Sequence, residues 1–156
     1  LEYTRMRIAE WNDDAAECSA KVGASEDETP AKPGCLGDFA LWPKGMHAIV
    51  GCATLAPTPS GNVHDVQLGY YLAASHRGHG YVREACMALF ERARADRRVH
   101  RIWINTMPTN EASIAVAKRL PLEDLGELED PWYGSEALPT ARFFCWRRSM
   151  ASSAAP

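Results

Sequence analysis

The connection S-H-R-G-H-G-Y-V at 75–82 constrains this chain more than any other stretch. It follows a strand-like run, V-Q-L-G-Y-Y-L, and precedes Val82, Ala85, Cys86, Leu89, Phe90 and Ala93, spaced at intervals of three and four. With Arg83, Glu91, Arg94 and Asp96 on the other face, that spacing predicts a helix with one apolar side. Such a helix packs on a sheet, and R-I-W-I-N-T at 101–106 predicts the next strand, parallel to the one before the helix. One glycine suffices for a turn. Two of them beside an arginine also suit an anion, because the first amides of a helix lack intrahelical partners and the helix dipole adds positive potential there. Gly78 and Gly80 allow close approach to the backbone, and Arg77 supplies a charged fork.

The rest of the chain supplies the sheet. A short strand is expected at 4–8, then a helix over 12–22 capped by Asn12, Asp13 and Asp14, then an acidic, Pro- and Gly-containing connector at 23–37. Runs at 38–42, 46–56 and 63–73 predict three strands of an antiparallel meander. Asn110 can cap a second helix that Pro121 ends, and 125–128 and 142–147 predict closing strands. The intervening P-W-Y-G-S-E-A-L-P-T reads as a loop with an exposed aromatic pair, Trp132 and Tyr133.

A length of 156 residues suits one core, so a single domain over 1–148 is expected, with 149–156 as a loose tail. The net charge of -3 argues against a nucleic-acid partner, which requires a surplus of Lys and Arg. Five cysteines without a C-x-x-C pair indicate neither a disulfide framework nor a zinc cluster, and no metal is expected. No apolar run reaches membrane-spanning length and no signal-peptide pattern opens the chain, so no membrane partner and a cytoplasmic location are expected.

Known phosphate motifs fit poorly. There is no Gly-Lys-Ser or Gly-Lys-Thr for a P-loop, and a dinucleotide fingerprint begun at Gly78 would place its third glycine on Arg83. Three stretches taken together are more specific: L-G-Y-Y-L at 68–72, R-G-H-G-Y-V-R-E-A at 77–85 and N-E-A-S-I-A-V at 110–116. In that order and spacing they resemble the core of the GNAT superfamily of N-acetyltransferases, in particular its ribosomal-protein N-terminal acetyltransferase branch.

The resemblance implies an α+β, single-domain α/β/α fold whose mixed, mostly antiparallel sheet is splayed between the fourth and fifth strands. It implies acetyl-CoA as co-substrate, with the backbone of Tyr71, Leu72 and Ala73 along the pantetheine and Arg77, Gly78, His79, Gly80, Tyr81 and Val82 around the pyrophosphate. Asn110 and Ser113 would lie beside the cofactor. The acceptor would be an amine-bearing small molecule or a peptide or protein N-terminus, and homodimers are common among such proteins.

Three positions depart from the pattern. Val82 stands where the family sets a small residue, Gln67 where many members carry a glutamate base, and Ala117 where other branches place a tyrosine acid. A lysine amine, with pKa ~10.4, gives up its proton at pH 7 at a cost of ~4.6 kcal/mol, an α-amino group for only ~1 kcal/mol. A weakly basic acceptor therefore needs a base least. The replacement candidates are Asp65, which shares a strand face with Gln67, and His64, while Ser113 is the candidate proton donor to the leaving thiolate. Gln67, Val82 and Ala117 also suggest an alternative, a non-catalytic acyl-CoA-binding module.

Overall fold

The computed structural model describes residues 6–10 and 35–149. The expected helix at 12–22, most of the acidic connector and nearly all of the C-terminal tail lie outside the described residues. Among the described residues, seven strands form one sheet: β1 (Met6–Glu10), β2 (Gly37–Pro43), β3 (Gly51–Pro57), β4 (Asp65–Leu72), β5 (Arg101–Thr106), β6 (Glu123–Glu129) and β7 (Thr140–Arg147). Helix α1 (Tyr81–Ala95) joins β4 to β5, and α2 (Glu111–Ala117) joins β5 to β6.

The sheet order is β1-β2-β3-β4-β5-β7-β6, antiparallel throughout except for β4 beside β5. The meander and the parallel strand expected after the helix are both present. Expected β3 began at Met46, but it starts at Gly51: Met46 N–H instead closes a turn onto the Pro43 carbonyl, and Val50 N–H reaches Leu41. The edge strand β6 is longer than its apolar residues suggested, because pairing with β7 and the Arg142–Asp124 ion pair carry its acidic ends.

Strand periodicity divides the two faces. Phe39, Leu41, Leu55, Val66, Leu68, Ile102, Ile104 and Phe144 face α1 and form the core with Ala85, Cys86, Leu89 and Phe90 of that helix. Leu89 and Phe90 are fully buried, and burial of such side chains contributes ~1.5–3 kcal/mol each. Phe90 meets Trp146 edge to face. At the start of α1, Glu84 accepts the Met6 backbone N–H, which ties β1 to the helix.

The β4–β5 pairing is short. Only Asp65, Val66 and Gln67 are in register with Arg101, Ile102 and Trp103. Beyond Gln67 the two strands part, as the resemblance implied.

Candidate active site

The gap beyond Gln67 exposes one edge of β4. Ala73 N–H bonds the Val50 carbonyl and Thr58 N–H bonds the Asp65 carbonyl, so odd-numbered backbone groups of β4 point toward β3. The Leu68 N–H completes the last rung of the ladder with Trp103, so the Leu68 carbonyl and the N–H and C=O groups of Tyr70 and Leu72 face the gap. Of the expected trio Tyr71, Leu72 and Ala73, only Leu72 presents its backbone there, because the strand repeat turns its two neighbours toward β3.

A cleft of about 580 Å³ opens at this end of the sheet. Its walls come from the end of β4, the turn into α1, and α2: Tyr70, Tyr71 and Leu72, then Arg77, Gly78, Gly80, Tyr81, Val82 and Arg83, then Asn110, Ala112, Ser113, Val116 and Arg119. Three arginines and no carboxylate stand in that lining, which makes the cleft positive.

The turn is shaped by backbone angles closed to most side chains. Gly78 has φ 83° and Gly80 φ 76°, both left-handed, and a Cβ on Gly78 would meet nothing within 4 Å. Gly78 is therefore required by conformation and not by crowding. Gly80 is the N-cap of α1 and no side chain caps the helix, so its positive end is turned to the cleft, while Glu84, the carboxylate of the first turn, accepts the Met6 N–H. Arg77 donates from Nε to the Leu72 carbonyl at 3.1 Å, which anchors its guanidinium at the mouth of the gap.

Val82 lines the cleft and is packed against the hydrophobic core as well, so it stands at the boundary between the two. His79 and Ala73 do not line the cleft. The His79 ring stacks on Tyr81 and its Nδ1 donates to the His76 carbonyl, while the Ala73 amide is spent on β3.

On the opposite wall, Asn110 caps α2 by accepting the Ser113 N–H at 3.1 Å. Tyr70 donates its hydroxyl to the Ser113 carbonyl at 3.0 Å, joining β4 to α2 across the gap. Burial, with Cys86 close by, pushes the Tyr70 phenol above the ordinary tyrosine range. Tyr70 therefore stays protonated and keeps donating. Sequence reasoning missed Arg83, Ala112, Val116 and Arg119 as lining residues; Ala112, Val116 and Arg119 recur at helical spacing, the one local signal that could have found the last three.

His64 and Asp65 stand at the closed end of the β4–β5 pair. His64 donates from Nδ1 to the Arg98 carbonyl at 2.9 Å and stacks on His100 with ring centroids 4.3 Å apart. At ~3.3 Å per strand residue it lies ~16 Å along the chain from Gly69. Asp65 is 4% exposed and accepts from Trp103 Nε1 and Arg101. It does share the face of Gln67, as expected, but the structure brings neither residue to the opening.

The residue at the opening is Gln67. Its Nε2 donates to Asn105 Oδ1, and its Oε1 accepts the Tyr133 hydroxyl at 2.9 Å. Trp132, next to Tyr133, meets Trp103 and Phe143 edge to face behind it. Ala117, at the position of the tyrosine acid of other branches, is fully buried. Among the described residues, no group of three or more His, Cys, Asp or Glu side chains could hold a metal, and no helix is long and apolar enough to cross a membrane.

The acetyltransferase (GNAT) domain family matches residues 2–123. The chain belongs to the GNAT acetyltransferase family. Similar solved structures include the ribosomal-protein-S5-alanine acetyltransferase of Vibrio fischeri, with 22% identity and a TM-score of 0.62 over 74% of this chain and 63% of that one. RimJ of Mycobacterium smegmatis, in complex with CoA-disulfide, has 20% identity and a TM-score of 0.61 over 75% of this chain and 55% of that one. The ribosomal-protein-alanine N-acetyltransferase of Brucella melitensis has 26% identity and a TM-score of 0.59 over 72% and 69%. This GNAT chain thus spans less than two thirds of the length of the first two, and the likeness establishes a shared fold. No curated protein matches the chain in sequence.

Proposed function

We propose that this GNAT chain transfers an acetyl group from acetyl-CoA to a primary amine. The observation that carries this reading is the continuity of the positive cleft with the open edge of β4. The uncapped N-terminus of α1, with Gly78, Gly80 and Arg77, suits the pyrophosphate, and Arg83 and Arg119 extend the same positive wall. The exposed amides of Tyr70 and Leu72 and the Leu68 carbonyl suit the amide groups of a pantetheine arm, and the two amides can polarise a thioester carbonyl in the gap.

The amine attacks the thioester carbonyl directly: a C–N bond forms, the C–S bond breaks, the sulfur leaves as thiolate, and the proton given up by the amine passes through water to that thiolate, leaving an amide and the free thiol of CoA. No side chain at the opening is an obvious base, since Gln67 cannot take a proton at neutral pH. Positioning of a neutral amine then supplies most of the acceleration. This favours an α-amino group, such as a peptide or protein N-terminus, over a lysine side chain. Acetyl-CoA as donor is consistent with a cytoplasmic setting.

The runner-up is an acyl-CoA-binding module without turnover, favoured only by Gln67 and Ala117. Thiol release from acetyl-CoA in the presence of amines and peptides separates the two, because turnover with any acceptor excludes a purely binding role.

A further inference from the structure

Gln67 is held at both ends of its carboxamide. Its Nε2 is taken by Asn105 Oδ1 on β5 and its Oε1 by the hydroxyl of Tyr133, which lies 66 residues away in sequence. The three side chains meet where β4 and β5 separate, on the sheet face opposite α1. An unrestrained glutamine presents oxygen or nitrogen equally well. Here the Asn105 oxygen takes the nitrogen and the Tyr133 hydroxyl the oxygen, which sets nitrogen toward β5 and oxygen toward Tyr133.

The loop that brings Tyr133 there is built to hold it. Asp130 Oδ1 accepts the backbone N–H groups of Trp132 and Tyr133, and Gly134 N–H returns to the Asp130 carbonyl. A Cβ on Gly134 would sit 2.3 Å from that carbonyl oxygen, so only glycine closes the turn. Trp132 is pinned between Trp103 and Phe143, and Tyr133 is left 59% exposed with only its tip engaged. Such a contact can be made and broken from solvent without disturbing the core.

We propose that the Gln67 carbonyl oxygen receives the N–H of the acceptor amine, and that Tyr133 and Asn105 are the positioning residues that keep that oxygen, not the amide nitrogen, turned to the opening. This rests on the acetyltransferase reading above. An amine about to attack carries N–H donors and a lone pair; a carbonyl oxygen beside it directs the N–H groups away from the thioester and the lone pair toward it. A carboxamide turned the other way would present donors to donors. Gln67 Oε1 has two lone pairs, so it can hold Tyr133 and the amine together. Because the oxygen cannot accept a proton, the arrangement selects amines already neutral near pH 7.

The test combines kinetics with a spectroscopic signature on the full chain. Acetyl transfer is measured with tetrapeptides bearing a free N-terminal alanine or serine and with simple alkylamines. Tyr133→Phe is expected to raise the acceptor KM about five-fold, the scale of one hydrogen bond, while kcat and the acetyl-CoA KM stay within about two-fold. Gln67→Leu is expected to lower kcat/KM for the acceptor at least ~10-fold, and Asn105→Leu, which removes the partner of the Gln67 nitrogen, to lower it several-fold. In the CoA-loaded protein the Gln67 side-chain amide protons are expected to resonate away from free glutamine and to return toward it in Tyr133→Phe. A parent enzyme that turns over while Tyr133→Phe and Gln67→Leu keep its acceptor KM and kcat/KM, or a Gln67 amide at the free-glutamine position, would overturn the proposal alone. A parent enzyme inactive with every acceptor would overturn the acetyltransferase reading and this inference with it.

Discussion

The Tyr70 hydroxyl bonds the Ser113 carbonyl oxygen across the β4–β5 gap, and this contact fixes how far α2 stands from the open edge of β4. Tyr70 lines the cleft and packs on the core, so one residue couples the cleft's width to the fold. Tyr70→Phe is expected to cost ~0.5–1.5 kcal/mol of stability by urea unfolding. It should also weaken acetyl-CoA binding several-fold by calorimetry; unchanged affinity would separate the contact from the cleft.

Arg77 offers the cleft a guanidinium that its bond to Leu72 has already oriented. Arg77→Ala removes charge and anchor together, and at ~1.5–3 kcal/mol for a hydrogen bond to a charged group, acetyl-CoA affinity should fall roughly 10- to 100-fold. Arg77→Lys should recover only part of it, since a point charge does not reproduce the fork.

His64 sits at the closed end of the strand pair, with its Nδ1–H committed to Arg98. His64→Ala should leave acetyl transfer within about two-fold while lowering stability by ~1 kcal/mol through the lost bond and ring stack. A large loss of turnover at neutral pH with stability intact would restore the histidine to the mechanism.

The strand–turn–helix core was legible because its signals are local: the spacing of Val82 to Ala93, the β-branched run at 101–106 and the paired glycines each act within a few residues. Two kinds of information were not. Where a parallel ladder stops depends on how β5 leaves β4, so the period of two placed Asp65 on the face of Gln67 but could not say which end of that face opens. The Gln67–Tyr133 contact joins residues far apart in the chain, and nothing near either one announces the other. Asn110 is the helix cap its position offered and also part of the cleft wall, and Glu84 ties the first turn of α1 to β1.

Buried acidic protons set the alkaline limit. Burial raises the pKa of Cys35, Cys52, Cys86 and Cys145, and Tyr70 is raised by burial first and Cys86 second. The unfolded chain therefore releases these protons before the fold does: the thiols above pH ~8.5, the phenol above ~10. Their stabilising contribution is complete below pH ~8.5 and is lost as pH rises beyond it, more steeply past ~10. Urea unfolding from pH 7 to 10.5 should show this decline, and Cys86→Ala should reduce its slope while lowering stability at neutral pH. A flat profile would contradict it.

The most direct test of the account is release of free CoA thiol from acetyl-CoA, followed with a panel of α-amino peptides and alkylamines and matched to the acetylated product by mass. The account predicts amine-dependent release, one thiol per acetylated amine, with α-amino acceptors preferred over lysine side chains near pH 7 and the rate reduced in Arg77→Ala. Saturable acetyl-CoA binding with no amine-dependent release for any acceptor would contradict it.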